Sequence, residues 1–462
     1  MNHDDLNHWS KQVADWTQDY HATLRDRPVR AQTAPGETAA KLPLTAPEMA
    51  EPMEQILADF QSIVPDAMTH WQHPRFFAYF PANAAPASML AEQLTTAMSA
   101  QAMLWQTAPA ATEIEQVMIT WLRDALGLAD HFKGTIHDSA TTATLSAILT
   151  MRERALGWKG NETGLSGQPV LRIYASDQTH SSIDKSVRIA GIGQNNLCKI
   201  PTNDTLSMQP EALDAQIKLD KSNNLLPAGV VLCVGGTSVG GTDRVAEILK
   251  VAKAHDLYTH VDAAWAGSAM ICPEFRDLWS GVDGADSIVF NPHKWLGANF
   301  DCAVQFLADP TPQVRTLGLR PDFLQTLDQD EVTNFNEWTV PLGRRFRALK
   351  LWFLLRAYGL EGLRERIRNH VKWSRELCRE IATLPGFDIV TEPMLSLFSF
   401  RYKSDAETAA LLAQINDDGR IYLTQTTHHG QFVIRVQVGQ FDCTRDDVMT
   451  VLQVLRELTN TD

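Results

Sequence analysis

The 462-residue sequence has few cysteines, and none of them stands in a paired motif. Its six cysteines are scattered along the chain. There is no C-x-x-C pair and no cysteine–histidine spacing of the kind that binds zinc, so we expect no metal site. Free thiols in a reducing cytoplasm are the simpler interpretation of such cysteines.

The sequence also lacks long hydrophobic runs and an excess of positive charge. No run approaches the ~20 apolar residues that a membrane-spanning helix needs, and residues 1–30 lack the apolar core of a signal peptide. The formal net charge is -14, which argues against nucleic acids and anionic membranes as partners. We therefore expect a cytoplasmic protein without nucleic-acid or membrane partners.

What the sequence does contain is length and a regular alternation of patterns. Between residues 86 and 355, helical patterns alternate with short β-rich runs, which predicts an α/β domain with a mostly parallel central sheet. Residues 356–462 predict a smaller α+β domain. Residues 1–85 predict a helical segment that is too small to fold alone, so we expect it to pack on another body, such as a partner subunit.

The individual elements follow from the same patterns. The central region predicts the strands Gly134–His137, Val170–Tyr174, Gly229–Val234, Leu257–Val261, Ser287–Phe290 and Cys302–Leu307. The C-terminal region predicts the helices Gly359–Leu384 and Asp446–Leu458, with strands near Ser396–Tyr402, Arg420–Thr424 and Phe432–Val438.

Lys294 and Asp262 are the most informative residues, because each follows one of these predicted strands. A lysine that can form a Schiff base and a carboxylate that can pair with a pyridinium nitrogen are the two protein groups that pyridoxal 5'-phosphate (PLP) needs. Ligands of open α/β sheets bind beyond the ends of the strands. Alone, Asp262 could be a helix N-cap and Lys294 a solvated lysine. Together they favour a PLP site.

A phosphate site is indicated by the small residues that open a predicted helix, Ser139, Ala140 and Thr141. Helix N-termini bind phosphate through free N–H groups and the helix dipole. Ordinary N-capping is the alternative explanation, and it does not exclude phosphate binding. Asn291 and His293, which flank Lys294, could donate further hydrogen bonds.

Two more side chains follow predicted strands. His180 could stack on a flat cofactor ring, although a lone histidine is as often a surface or core residue. Thr237 would place a hydroxyl at the mouth of the sheet, although its Gly235–Ser238 segment could be an ordinary turn.

Several stretches taken together resemble the group II PLP-dependent decarboxylases, and most closely their aromatic-L-amino-acid decarboxylase branch. The resemblance runs from about residue 50 to the C-terminus. It implies PLP fold type I and an obligate homodimer with the site at the subunit interface. The matching stretches are HPRFFAYFP (73–81), PAATEIE (109–115), SDQTHSS (176–182), HVDAAWAGSAMICPEFR (260–276), NPHKWLGANFDC (291–302) and PLGRRFR (341–347).

The resemblance also implies residue roles. Lys294 corresponds to the Schiff-base lysine, Asp262 to the pyridinium partner and His180 to the ring-stacking histidine. Gly343 corresponds to a residue that tends to be serine in histidine decarboxylases. The implied cofactor contacts are Ser139, Ala140, Thr141, His180, Thr237, Asp262, Ala264, Asn291, His293 and Lys294. The implied substrate contacts are Trp71, Tyr79, Phe80, Pro81, Gln101 and Met103.

The sequence departs from the family at two places. Ala82, Gln101 and Met103 stand where animal relatives usually have Thr, Ile and Phe, which leaves the accepted side chain open. Phe323 stands where family decarboxylases carry a tyrosine that is thought to protonate Cα after CO2 leaves. In plant relatives, a phenylalanine there accompanies aromatic acetaldehyde synthases.

We therefore predict a PLP-dependent carboxy-lyase that converts an aromatic L-amino acid (Dopa, Trp, Tyr or Phe) to its amine and CO2. The first alternative, suggested by Phe323, is oxidative deamination to an aromatic acetaldehyde, ammonia and hydrogen peroxide. An aminotransferase and a non-enzymatic binding protein are further alternatives. The retained Lys294, Asp262 and His180 argue against a binding protein.

Overall fold

The computed structural model describes residues 1–319 and 331–460. The helices in this part of the chain are α1 (Leu6–Ala22), α2 (Met53–Ile63), α3 (Pro86–Met98), α4 (Pro109–Leu126), α5 (Ala140–Ala155), α6 (Lys159–Thr163), α7 (Ser182–Ile189), α8 (Pro210–Ser222), α9 (Val245–Ala254), α10 (Thr311–Leu317), α11 (Ala348–Ile381), α12 (Asp405–Asp418) and α13 (Arg445–Thr459). The strands are β1 (Lys133–His137), β2 (Leu171–Ser176), β3 (Leu197–Ile200), β4 (Leu226–Cys233), β5 (Tyr258–Asp262), β6 (Ser287–Phe290), β7 (Ala303–Leu307), β8 (Phe387–Met394), β9 (Leu397–Tyr402), β10 (Thr424–His428) and β11 (Gln431–Gln437).

Seven strands form the central sheet, in the order β1-β7-β6-β5-β4-β2-β3. The pairs from β6 through β5, β4 and β2 to β3 are parallel, whereas β7 runs antiparallel to both of its neighbours. Strands β5 and β6 are buried along their whole length, as expected for a sheet covered on both faces. The predicted mostly parallel α/β fold is confirmed.

Helix α5 packs on the central sheet, and its N-terminus follows the predicted phosphate-binding residue Ser139. Ser139 caps its N-terminus, with Oγ accepting a hydrogen bond from the N–H of Thr142 at 3.2 Å. Along α5, Ile148 and Met151 are fully buried in a core that also contains Ile173 of β2 and Val231 of β4. Burying side chains of this size stabilises the fold by about 1.5–3 kcal/mol each. The helix is therefore held firmly against the sheet.

The C-terminal strands form a separate antiparallel sheet in the order β10-β11-β9-β8. The prediction of a strand at Arg420–Thr424 was wrong, because the strand begins at Thr424 and continues to His428. Strand Phe387–Met394 was missed. It contains Asp, Glu and Pro, which are depleted in strands. The predicted helix Gly359–Leu384 overlaps α11, which starts earlier at Ala348, ends earlier at Ile381 and is interrupted at Gly359 (φ 62°).

The chain forms two compact units. The small unit comprises Met1–Pro81 and the chain from Lys372 onward, and the large unit comprises Ala82–Val371. The small unit has its own core, to which β9, α12 and α13 contribute Phe398, Ile415 and Val451. Among the described helices, none is long and apolar enough to cross a membrane. The predicted divisions near residues 85 and 355 stay a prediction.

Candidate active site

Asp262 is the last residue of β5, and its carboxylate is held by the backbone that follows. Its Oδ1 accepts a hydrogen bond from the N–H of Ala264 at 3.0 Å, and the residue is 8% exposed. The carbonyl of Ala264 accepts the N–H of Asn291 at 2.9 Å. This pair of bonds ties the end of β5 to the segment after β6, which carries Lys294.

Lys294 lies in a short π-helical turn, Pro292–Leu296, directly after β6. Its N–H donates to the carbonyl of Asn291 at 2.9 Å, and its own carbonyl accepts Nδ2 of Asn83 at 2.7 Å. The next residue, Trp295, is buried and stacks on Trp265 with ring centroids 5.1 Å apart. The lysine is half-buried, and its backbone is fixed on both sides.

The N-terminus of α5 offers donors to an anion. Among the described residues, the N–H groups of Ala140 and Thr141 have no hydrogen-bond acceptor. The Ser139 hydroxyl is engaged locally, with Thr142 at 3.0 Å and with the Asp138 carboxylate at 3.2 Å. The free N–H groups and the helix dipole together form an anion site.

Two residues beside Lys294 are buried and polar. Asn291 is 2% exposed, and its Oδ1 has no partner among the described residues. His293 accepts the N–H of Cys302 on Nδ1 at 2.8 Å. Burial, with the neighbouring Lys294 charge, lowers the pKa of His293 to about 3. Its imidazole is therefore neutral, and its proton is on Nε2, which remains a donor.

His180 precedes α7 and is positioned by its own turn. Its Nδ1 accepts the N–H of Ser182 at 3.0 Å, so the neutral ring carries its proton on Nε2. One part of the ring is exposed. Packing around the rest lowers its pKa, while the charges of Asp262 and Lys294 act in opposite directions on it. Both charged groups are thus within electrostatic reach of this imidazole.

The Thr237 loop is anchored by a residue that the sequence did not reveal. Asp243 accepts the N–H of Cys233, the last residue of β4, at 2.7 Å and the N–H of Met208 at 2.7 Å. Burial raises the pKa of Asp243 to about 6 despite these bonds. The loop that presents Thr237 is therefore held at both of its ends.

The two implied substrate residues of the large unit lie in one segment. Oε1 of Gln101 accepts the N–H of Arg344 at 2.7 Å, and the carbonyl of Met103 accepts the N–H of Asn336 at 3.1 Å. A Cβ on Gly343 would lie 3.1 Å from Nε2 of Gln101. The small residue at position 343 therefore leaves room for the Gln101 amide.

The implied aromatic wall belongs to the small unit. Trp71 and Tyr79 stack at 5.9 Å, and the buried guanidinium of Arg435 lies 5.1 Å from the ring of Phe80. Pro81 is also buried. Nε and Nη2 of Arg435 have no acceptor among the described residues. These atoms form one edge of the guanidinium, which suits an oxyanion. No sequence motif marked Arg435.

Phe323 lies outside the described residues. Asn83, Asp243, Arg344 and Arg435 were all missed by sequence reasoning. Arg344 lies in the matching stretch PLGRRFR, but no role was assigned to it. The contacts of Asn83, Arg344 and Arg435 join parts of the chain that are far apart in sequence, and a single sequence does not reveal such contacts.

Comparisons with known proteins identify the family of this chain. Residues 35–403 match the model of the pyridoxal-dependent decarboxylase conserved domain. An aromatic-L-amino-acid decarboxylase of Sus scrofa is 38% identical over 453 residues, which cover 95% of this chain and 93% of the relative. A phenylacetaldehyde synthase of Arabidopsis thaliana is 35% identical over 458 residues, with 95% and 92% covered.

Solved structures show the same architecture. The crystal structure of Oryza sativa TDC with PLP and tryptamine matches with a TM-score of 0.96 at 31% identity, covering 100% of this chain and 98% of that one. The Rhodiola rosea 4-hydroxyphenylacetaldehyde synthase matches with a TM-score of 0.93 at 33% identity, covering 100% and 99%. Given these matches over nearly its whole length, the chain belongs to the pyridoxal-dependent decarboxylase family.

Proposed function

We propose that this protein decarboxylates an aromatic L-amino acid, of the Dopa, Trp, Tyr or Phe class, to its amine. The observation that carries the proposal is the placement of Asp262 and Lys294 at the ends of adjacent parallel strands. The relatives support the substrate class, because they include a tryptophan decarboxylase, tyrosine decarboxylases and an aromatic-L-amino-acid decarboxylase.

The residues present fit pyridoxal 5'-phosphate. The free N–H groups of Ala140 and Thr141 suit its phosphate, with Asn291 and His293 as nearby donors. The buried carboxylate of Asp262 suits its ring nitrogen, and Lys294 suits its aldehyde. When bound, the cofactor supplies a ring that withdraws the electrons left on Cα as the carboxylate departs as CO2.

The protein groups have separate tasks in this proposal. The carboxylate of Asp262 would hold a proton on the ring nitrogen, because a carboxylate in a site sheltered from water favours its cationic partner. His180 lies against the ring and presents Nε2–H as a donor. Lys294 binds the aldehyde and receives or returns a proton at Nζ. Thr237 adds a hydroxyl contact, and Ala264 keeps Asp262 oriented.

The first experiment measures CO2 release from L-Dopa, Trp, Tyr and Phe by the PLP-loaded protein. We expect release from at least one of them. Lys294→Ala should abolish release and the yellow colour of the bound cofactor, whereas Lys185→Ala, at an exposed position on α7, should preserve both. No CO2 from any of the four substrates, or colour and turnover that survive Lys294→Ala, would contradict the proposal.

A second candidate function is favoured by Phe323. A positioned proton donor contributes about two to four orders of magnitude to a rate. Without the tyrosine hydroxyl, Cα would be protonated more slowly after CO2 leaves, and dioxygen could oxidise it; with one water, this would yield an aromatic acetaldehyde, ammonia and hydrogen peroxide. Two relatives are acetaldehyde synthases, which supports this candidate.

Assays of amine and peroxide under air separate the two functions. Stoichiometric amine without peroxide would reject the oxidative candidate. If that candidate is correct, Phe323→Tyr should shift the product toward amine. An unchanged ratio would count against a role for Phe323.

We also propose a homodimer in the cytoplasm, with the segment 1–85 packed on the partner subunit and the site at the interface. Helix α3 supports a second copy as partner, because Leu90, Leu94 and Met98 are spaced one helical turn apart and are 56%, 48% and 57% exposed. The six free cysteines suit a reducing compartment.

Leu94→Lys should shift the protein from dimer to monomer in light scattering, whereas Lys185→Ala should not. A monomeric parent protein would reject the homodimer.

A further inference from the structure

A chain of buried polar side chains crosses the large unit beneath the proposed cofactor contacts. Thr144 Oγ1 lies 3.2 Å from Nε2 of His260, and His260 Nδ1 lies 2.8 Å from Oγ of Ser287. Gln305 Nε2 donates to Ser287 Oγ at 3.0 Å, and Gln305 Oε1 lies 2.8 Å from Nε2 of His137. None of these five residues, which we call the buried polar chain, is more than 2% exposed.

Gln305 is the branch point of the buried polar chain. It forms a reciprocal amide pair with Gln313, with N–O distances of 3.0 and 2.9 Å. Both amide protons and both carbonyl lone pairs of Gln305 are therefore used, which is the full capacity of a glutamine side chain. Gln313 in turn donates to the carbonyl of Trp338 at 2.8 Å.

This arrangement sets the directions of the hydrogen bonds that Gln305 makes, because it donates to Ser287 and Gln313 and accepts from His137 and Gln313. The directions of the Ser287–His260 and His260–Thr144 hydrogen bonds depend on the tautomer of His260. Burial lowers the pKa values of His260 and His137 to about 4, so both rings are neutral.

The chain ends at the elements that carry the proposed cofactor contacts. His260 is two residues before Asp262, so both side chains lie on the same face of β5. His137 directly precedes Asp138 and the N-cap Ser139. Thr144 lies in α5, one turn beyond its free N–H groups. Hydrogen bonds therefore connect Gln305 both to the strand that carries Asp262 and to the helix that begins after Ser139.

We infer that Gln305 is a positioning residue for the cofactor, acting through the buried polar chain to hold the strand of Asp262 in register with the helix of Ser139. The inference rests on the proposed PLP site and adds to it a residue that does not touch the cofactor. A purely structural role is the competing explanation, because buried polar groups need partners anywhere in a protein. The two explanations predict different results when Gln305 is replaced. A positioning role predicts weaker cofactor binding, whereas a purely structural role predicts unchanged binding.

The experiment titrates PLP into the apoprotein and measures its dissociation constant by absorbance, together with the melting temperature of the apoprotein. Gln305→Leu should weaken PLP binding about tenfold or more, since it removes a hydrogen-bond partner from each of the buried side chains of Ser287, His137 and Gln313. Gln440→Leu is the matched control, because Gln440 is equally buried but belongs to the small unit. It should lower the melting temperature and leave the dissociation constant unchanged.

Two milder substitutions, at Thr144 and Thr150, keep the test valid if Gln305→Leu does not fold. Thr144 and Thr150 both lie on α5 and are fully buried, but Thr150 bonds only to the carbonyl of Ser146 in its own helix. Thr144→Val should weaken PLP binding about threefold or more, and Thr150→Val should not. Equal dissociation constants for both valine variants and the parent would overturn the inference. The family assignment would still stand if Lys294→Ala abolished the bound-cofactor colour.

Discussion

Replacing Arg344 with methionine should strongly destabilise the large unit. Nη2 of Arg344 donates to Glu115 at 2.6 Å, to Thr135 Oγ1 at 3.2 Å and to the Ile136 carbonyl at 3.0 Å. Nη1 donates to the Ala102 carbonyl at 3.2 Å. Arg344 and Glu115 are 4% and 2% exposed, so the substitution leaves a carboxylate buried without its partner. Breaking a buried pair in this way costs about 3–5 kcal/mol.

The assay is urea denaturation of the apoprotein, followed by far-UV circular dichroism. The double variant Arg344→Met/Glu115→Gln removes both charges and keeps an acceptor for the Ile136 N–H, which Glu115 binds at 2.8 Å. The double variant should recover about half or more of the stability lost in Arg344→Met, because no unpaired charge remains. Arg368→Met is the matched control, since the Arg368–Glu274 pair is exposed, and it should change stability little.

Two results would refute this reasoning. One is a decrease in the free energy of unfolding of less than about 1 kcal/mol for Arg344→Met, which is typical of an exposed ion pair. The other is a double variant that is no more stable than the single variant. This would show that the unpaired charge of Glu115 does not cause the loss of stability.

Three further predictions concern the site. Asp262→Asn should lower kcat at least about 100-fold without changing the circular dichroism spectrum, because it removes a charge that would stabilise a cationic ring, and two unit charges about 4 Å apart interact by about 4 kcal/mol at intermediate dielectric. A kcat near that of the parent would contradict it. Gly343→Ser should displace Gln101 and raise KM for aromatic substrates several-fold with a smaller change in kcat; unchanged KM would reject the contact. Between pH 7.5 and pH 5, the free energy of unfolding should fall by about 2 kcal/mol for each of His137 and His260. In this range an unfolded histidine, with a pKa near 6.5, binds a proton, whereas the buried ring, with a pKa of about 4, does not. Denaturation that does not depend on pH would refute this.

The strands that carry the site could be predicted from local sequence. Leu257–Val261 and Ser287–Phe290 were expected, and β5 and β6 occupy Tyr258–Asp262 and Ser287–Phe290. Short β-rich runs that are buried on both faces stand out from their polar surroundings. Phe387–Met394 did not, because only part of that strand is buried and its pattern is interrupted.

The supporting contacts could not be predicted in this way. Asn83 binds the carbonyl of Lys294 across 211 positions of sequence, and Arg344 binds Glu115 across 229. Gln305 meets His137 across 168. Each of these residues is an ordinary polar side chain in its local sequence, and its role exists only after the sheet has assembled.

The order of residues along this chain was enough to predict six of the seven strands of the central sheet, the family, and Lys294 and Asp262 as the candidate pair, because these depend on short runs and fixed spacings. The tertiary structure alone decided how Asp262 and Lys294 are held, which ring nitrogen of His180 carries the proton, and which buried groups of the described residues lack partners. Those properties depend on hydrogen-bond geometry and exclusion of water, and both arise only when segments far apart in sequence pack against one another.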